Sequence, residues 1–121
     1  MNTEDLSLGL RQHYGTENWY RHCFVSRMLY TDGVKFFAEN AGNGAYWFLD
    51  EIAFNVFPML AGQDFLHITL KSSGSSATLT VDDGNGAEGL LSQKNFEYTD
   101  CPKGDWEFYL TDNVLLLPSE Y

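Results

Sequence analysis

Tyr30 to Ile52 reads Y-T-D-G-V-K-F-F-A-E-N-A-G-N-G-A-Y-W-F-L-D-E-I and holds six of the chain's 19 aromatic residues in 23 positions. Thr31 is a good N-cap, and Asp32 suits the positive end of a helix dipole. Val34, Phe37, Ala38 and Ala41 then recur at i, i+3, i+4 and i+7, which predicts a helix. Gly42-Asn43-Gly44 separates it from a second one, since Gly and Asn accept the left-handed conformation at a helix terminus. From Ala45 the stripe Phe48, Leu49, Ile52, Ala53, Val56 continues at helical spacing. Pro58 cannot donate to the carbonyl of Phe54, so this helix should stop or kink near Phe57. It is apolar almost all the way round. A helix of that kind lies between layers or presents aromatics to a partner.

Upstream, Thr3 to Tyr14 reads as a short helix with Thr3 as cap, Glu4 and Asp5 in its first turn, and Leu6 and Leu10 on one face. Asn18 to Tyr30 is rich in aromatic and β-branched residues but alternates weakly, which predicts extended chain with one or two short strands. After Gly62 the period changes to two. Leu66, Ile68 and Leu70 alternate with His67 and Thr69, and Ala77, Leu79 and Val81 with Thr78 and Thr80. Ser72 to Ser76 connects these strands as a hairpin, and Asp83 to Gly86 makes the next turn. A strand within Leu90 to Thr99 follows, with Phe96 and Tyr98 on one side. Trp106, Phe108 and Leu110 alternate next, and Val114 to Leu117 closes the chain after a turn at Thr111-Asp112-Asn113. The expected fold is α+β, a single domain over residues 1–121, with N-terminal helices on one face of a C-terminal antiparallel β-meander of four to five strands.

At 121 residues and 44% hydrophobic content, the chain can bury a core without metal or disulfide staples. It contains no apolar run long enough to span a membrane and no basic-then-apolar leader, so a cytoplasmic location is expected. Cys23 and Cys101 are not in C-x-x-C spacing and read as reduced, packed thiols. Net charge is −10, with −3 in residues 1–60 and −7 in residues 61–121. Such a field disfavours direct nucleic-acid binding, which depends on Lys and Arg displacing counterions. It favours a protein partner with a basic surface.

Tests for specific chemistry come out negative. Counting from Asp83, the sixth position of a calcium loop would be Glu88 and the twelfth Lys94, where Gly and Glu are required. His13, His22, His67, Cys23 and Cys101 show no metal-ligand spacing. No nucleophile elbow, P-loop or dinucleotide fingerprint is present. Adjacent Asp50 and Glu51 diverge by about 100° on a helix, poor geometry for two carboxylates acting on one bond. No catalytic residue, metal or cofactor is therefore assigned. On the second helix Trp47 and Phe54 project from the main stripe toward the side of Asp50 and Glu51, a candidate recognition surface.

Five segments together resemble a family of small uncharacterised bacterial proteins found on phage, plasmid and integrative elements: Y-R-H at Tyr20 to His22, Y-T-D-G-V-K at Tyr30 to Lys35, A-E-N-A-G at Ala38 to Gly42, Y-W-F-L-D-E-I at Tyr46 to Ile52, and the terminal L-P-S-E-Y. The chain departs from that pattern in two extra residues at Gly42-Asn43-Gly44. The resemblance carries no activity or catalytic residue. It implies a setting in which small acidic proteins act by binding host proteins, including defence nucleases. The leading expectation is a non-enzymatic interaction module that inhibits a host nucleic-acid-binding or CRISPR- or restriction-type defence protein by occupying its basic surface. Trp47, Asp50, Glu51, Phe54, Asp82, Asp83, Glu88, Asp100, Asp105 and Asp112 are its candidate contacts. The alternatives are a small-molecule- or metal-dependent enzyme with a pocket beside the Tyr30–Ile52 helices, and a homodimer through Trp47 and Phe54.

Overall fold

In the computed structural model, which describes residues 2–121, the segment after Gly62 does pair as period-two strands. Strands β3 (Phe65–Ser72) and β4 (Ala77–Asp82) form the Ser72–Ser76 hairpin, and β5 (Leu90–Phe96) pairs with β4. β6 (Gly104–Thr111) returns to the other edge of β3, and β7 (Val114–Leu116) follows a two-residue turn. Asp112 and Asn113 both have positive φ (52° and 65°), as a tight hairpin turn with the twist of its strands requires.

The architecture is mixed α+β, but the strand count and topology differ from expectation. The sheet has seven strands in the order β1-β2-β7-β6-β3-β4-β5, with β1 at Trp19–Arg21 and β2 at Leu29–Thr31. β2 runs parallel to β7, so the sheet is not purely antiparallel. β6 joins β3 rather than β5, so the chain is not a simple meander. Local alternation could not reveal these pairings, because the partners of β2 and β6 are distant in sequence.

Helix α1 (Thr3–Leu10) is capped by Asn2, whose side chain accepts the Asp5 N–H, while the Thr3 hydroxyl instead donates to the Lys103 carbonyl. Helix α2 (Asp32–Asn40) is capped by Thr31 as expected. Gly42 turns the corner with φ +60°, and a Cβ there would sit 2.3 Å from the Asp100 carbonyl oxygen. Helix α3 (Tyr46–Glu51) ends before Phe57: the chain widens into a π-helical turn at Ile52–Val56 and tightens to a 3₁₀ turn at Phe57–Ala61. Pro58, lacking an N–H, occupies the start of that last turn.

The core lies on the face of the sheet that carries Leu66, Ile68, Leu70, Leu79, Val81, Trp106, Phe108 and Leu110. Phe37 of α2 and Phe48 of α3 both meet the Phe108 ring, with centroids 5.0 and 4.7 Å away. Cys101 is fully buried, and burial pushes its thiol up to about 12. Cys23, read as packed, is exposed, and both thiols are free.

The amino end of α2 joins three distant segments. Its first N–H groups, on Asp32, Gly33 and Val34, donate to Thr16 Oγ1, Glu120 Oε2 and Thr31 Oγ1. Helix termini leave such donors without backbone partners, so these side chains satisfy them. Asp32 in turn accepts from the Glu17 and Asn18 N–H groups, the Asn18 amide and the Tyr20 hydroxyl. Burial raises its pKa, but these hydrogen bonds outweigh burial and hold the carboxyl at about 2, down from 3.8. A depressed folded-state pKa stabilises the fold above the unfolded value and loses that contribution as pH falls toward the folded one. Asp32→Asn should therefore lower stability at neutral pH and converge with the parent as pH falls from about 5 to about 2. Urea unfolding at stepped pH checks this; a constant gap between the two proteins would contradict it.

Candidate functional site

The candidate residues of the second helix separate into two groups. Asp50 and Phe54 are exposed and follow Tyr46, also exposed, at helical spacing. Trp47 and Glu51 turn the other way, toward β5. Trp47 is half-buried against Phe96, with centroids 5.2 Å apart, and Glu51 Oε1 meets Lys94 Nζ at 2.8 Å. The divergence follows from the 100° step of the helix, which turns Trp47 away from Tyr46 and Glu51 away from Asp50.

Asp50 anchors His22, a residue the sequence marks only as an unsupported metal ligand and as part of Y-R-H. His22, only 3% exposed, places Nε2 2.8 Å from Asp50 Oδ1. Its Nδ1 accepts the backbone N–H groups of Phe24 and Val25 at 3.2 and 3.0 Å. An imidazole nitrogen that accepts carries no proton, so the proton sits on Nε2 and is donated to Asp50. Both nitrogens are thereby committed, and neither is left to activate the neighbouring Cys23 as a nucleophile. The ring acts as a mount for two phenylalanines. Phe54 meets it edge-on at 5.8 Å, Phe24 lies 6.3 Å away, and the two Phe rings are 6.2 Å apart. Phe24 is 76% and Phe54 52% exposed, although the loop carrying Phe24 is tied down by His22.

The remaining candidates lie on or near the sheet. Asp82 and Asp105 belong to the face opposite the core, where register also places His67, Glu107 and Lys71. His67 lies between two carboxylates, with Nδ1 3.0 Å from Asp82 Oδ2 and Nε2 3.1 Å from Glu107 Oε1. Glu107 was not singled out from the sequence. Only its alternation with Trp106 and Phe108 could have marked it as a partner for His67. Asp82 also accepts the Gly84 N–H, Asp83 accepts from Asn85, and Asp100 accepts the Asn43 N–H at 2.7 Å. These three acids thus build turns as well as carrying charge. Glu88 and Asp105 are exposed, as is Asp112 at the β6–β7 turn.

Among the described residues, no group of three or more His, Cys, Asp or Glu side chains is arranged to hold a metal, and no helix is long and apolar enough to cross a membrane. A cleft of about 390 Å³ reaches the Tyr30–Ile52 segment at Asp32, whose carboxylate already accepts from four donors. The chain belongs to a family of unknown function, DUF6876, whose model matches residues 4–121. This agrees with the expected membership of an uncharacterised family. No curated protein and no solved structure matches the chain.

Proposed function

We propose that this protein is a non-enzymatic interaction module that docks a basic protein partner through the surface formed by Phe24, Phe54 and Asp50. The observation that carries this reading is the exposed Phe pair mounted on the immobilised His22. Large apolar rings held rigidly at the surface lose little entropy on binding and supply the anchors that dominate interface energies. The charge of −10 supports a basic partner, since complementary fields speed encounter and suppress wrong partners. In this reading the helices form a layer over the apolar sheet face, and the acids of the opposite face, Asp82, Asp105 and Glu107, add to the long-range attraction. The specific form we favour is a cytoplasmic inhibitor that occupies the basic surface of a host nucleic-acid-binding or defence protein.

The test is affinity capture at low and high salt, with identification of the captured protein and a competition assay against its nucleic acid. Capture should weaken at high salt, nucleic acid should displace the chain, and Phe24→Ala/Phe54→Ala should reduce affinity on the order of a hundredfold. Equal capture by the double variant would refute the docking surface, and salt-insensitive capture would refute the role of charge.

A further inference from the structure

On the far side of the sheet from the core, Trp19 and Tyr121 line a cleft of about 240 Å³ together with Asp112, Val114, Leu116 and Glu120. Both aromatic rings are exposed, Trp19 by 56% and Tyr121 by 73%. Tyr121 is nevertheless positioned, with its ring 5.8 Å from Phe65 and 5.4 Å from Tyr109, in edge-on contact with both. Two carboxylates and no Lys or Arg line the cleft. Glu120 spends three acceptor positions on Thr31, Gly33 and Leu117. Asp112 accepts no hydrogen bond from the described residues and keeps its full capacity for a ligand. Aromatic faces attract a cation through their quadrupole, and a nearby carboxylate adds charge and a hydrogen-bond acceptor. The volume suits one side-chain head group with part of its stem and falls below that of a drug-sized or nucleotide site.

We propose that the Trp19–Tyr121 cleft receives a cationic side chain, a guanidinium or ammonium group, from a basic protein partner. This goes beyond the Phe24–Phe54 surface, whose residues do not line the cleft. The experiment titrates the ¹⁵N-labelled chain with three N-acetylated, C-amidated peptides, Gly-Gly-Arg-Gly-Gly, Gly-Gly-Lys-Gly-Gly and a citrulline counterpart that keeps the shape of arginine without its charge. The charged peptides should shift the Trp19 indole N–H and the amides of Thr111 to Leu116, and the citrulline peptide should not. Trp19→Ala and Asp112→Asn should each weaken binding by about fivefold or more, and Trp19→Phe should recover most of the loss. Trp19 and Asp112 are exposed, and thermal unfolding will show that the variants remain folded. Phe24→Ala/Phe54→Ala should bind the peptides as the parent does, which separates this proposal from the docking surface. Equal shifts with citrulline, unchanged binding by Trp19→Ala, or shifts spread over the acidic sheet face without preference for the cleft would overturn it.

Discussion

Phe108→Ala should cost about 4 kcal/mol of folding stability, a large share of what a domain of this size has in hand. Phe108 is fully buried at the centre of β6, between Ile68 on the neighbouring strand and the rings of Phe37 and Phe48 above it. Those two rings also touch each other, with centroids 5.5 Å apart, so three aromatics from three elements close around one point. Removing one of them costs its transfer free energy and leaves a cavity lined by Phe37 of α2 and Phe48 of α3, whose walls cannot fully collapse. Phe108→Leu keeps most of the volume and should cost only about 1 to 2 kcal/mol. Urea unfolding followed by circular dichroism measures both. A loss below about 1.5 kcal/mol for the alanine variant would mean that Phe37 and Phe48 move inward to refill the site.

Glu120→Ala should be nearly as damaging, although the residue lies one position from the end of the chain. Its carboxylate accepts the Thr31 hydroxyl at 2.6 Å, the Leu117 N–H at 2.9 Å and the Gly33 N–H at 3.1 Å. Thr31 is 1% exposed, so its hydroxyl has no ready access to water once the acceptor is gone. Hydrogen bonds to a charged group are worth roughly 1.5–3 kcal/mol each, and because three share one carboxylate their loss is not additive. A total of about 3 kcal/mol follows, with a fall in melting temperature of roughly 10 °C. Glu120→Gln retains one acceptor oxygen without the charge and should recover about half. If both variants melt with the parent, the C-terminal segment does not support α2. Gly33 belongs to the same arrangement, because a Cβ there would lie 2.5 Å from Leu117 and 2.7 Å from the Glu120 carboxylate.

Much of the local structure was legible in the sequence because its causes are local. Thr31 caps α2, Gly42 turns the corner, and the alternations around Ile68, Leu79 and Phe108 become strands. Pro58 is incompatible with a regular α-helix, and the chain leaves α-helical geometry before it. The π-helical turn before it was not foreseen, since a widened turn depends on how Ile52, Ala53 and Val56 pack rather than on their spacing. The candidate surface was legible in part. Asp50 and Phe54 do stand together on an exposed stripe, but Trp47 and Glu51 are drawn to β5 by Phe96 and Lys94, partners more than forty residues away. Glu120 as a cap for α2, His22 as the mount for two Phe rings, and Glu107 opposite His67 all rest on contacts between segments distant in sequence, which no window of neighbouring residues reveals.

By itself, the sequence determined most of the helices and strands, their alternating apolar faces, the excess negative charge and the absence of a local catalytic or metal-binding motif. Each of these follows from side-chain chemistry at fixed backbone periods. The tertiary structure alone decided the seven-strand order, the parallel pairing of β2 with β7, and which acids are spent on turns and caps rather than left free. It also brought exposed aromatics from separate segments together, Phe24 against Phe54 and Trp19 with Tyr121 along one cleft. The physical reason is that long-range pairing is selected by burial of the whole apolar face at once, a property of the assembled sheet and helices and not of any one segment.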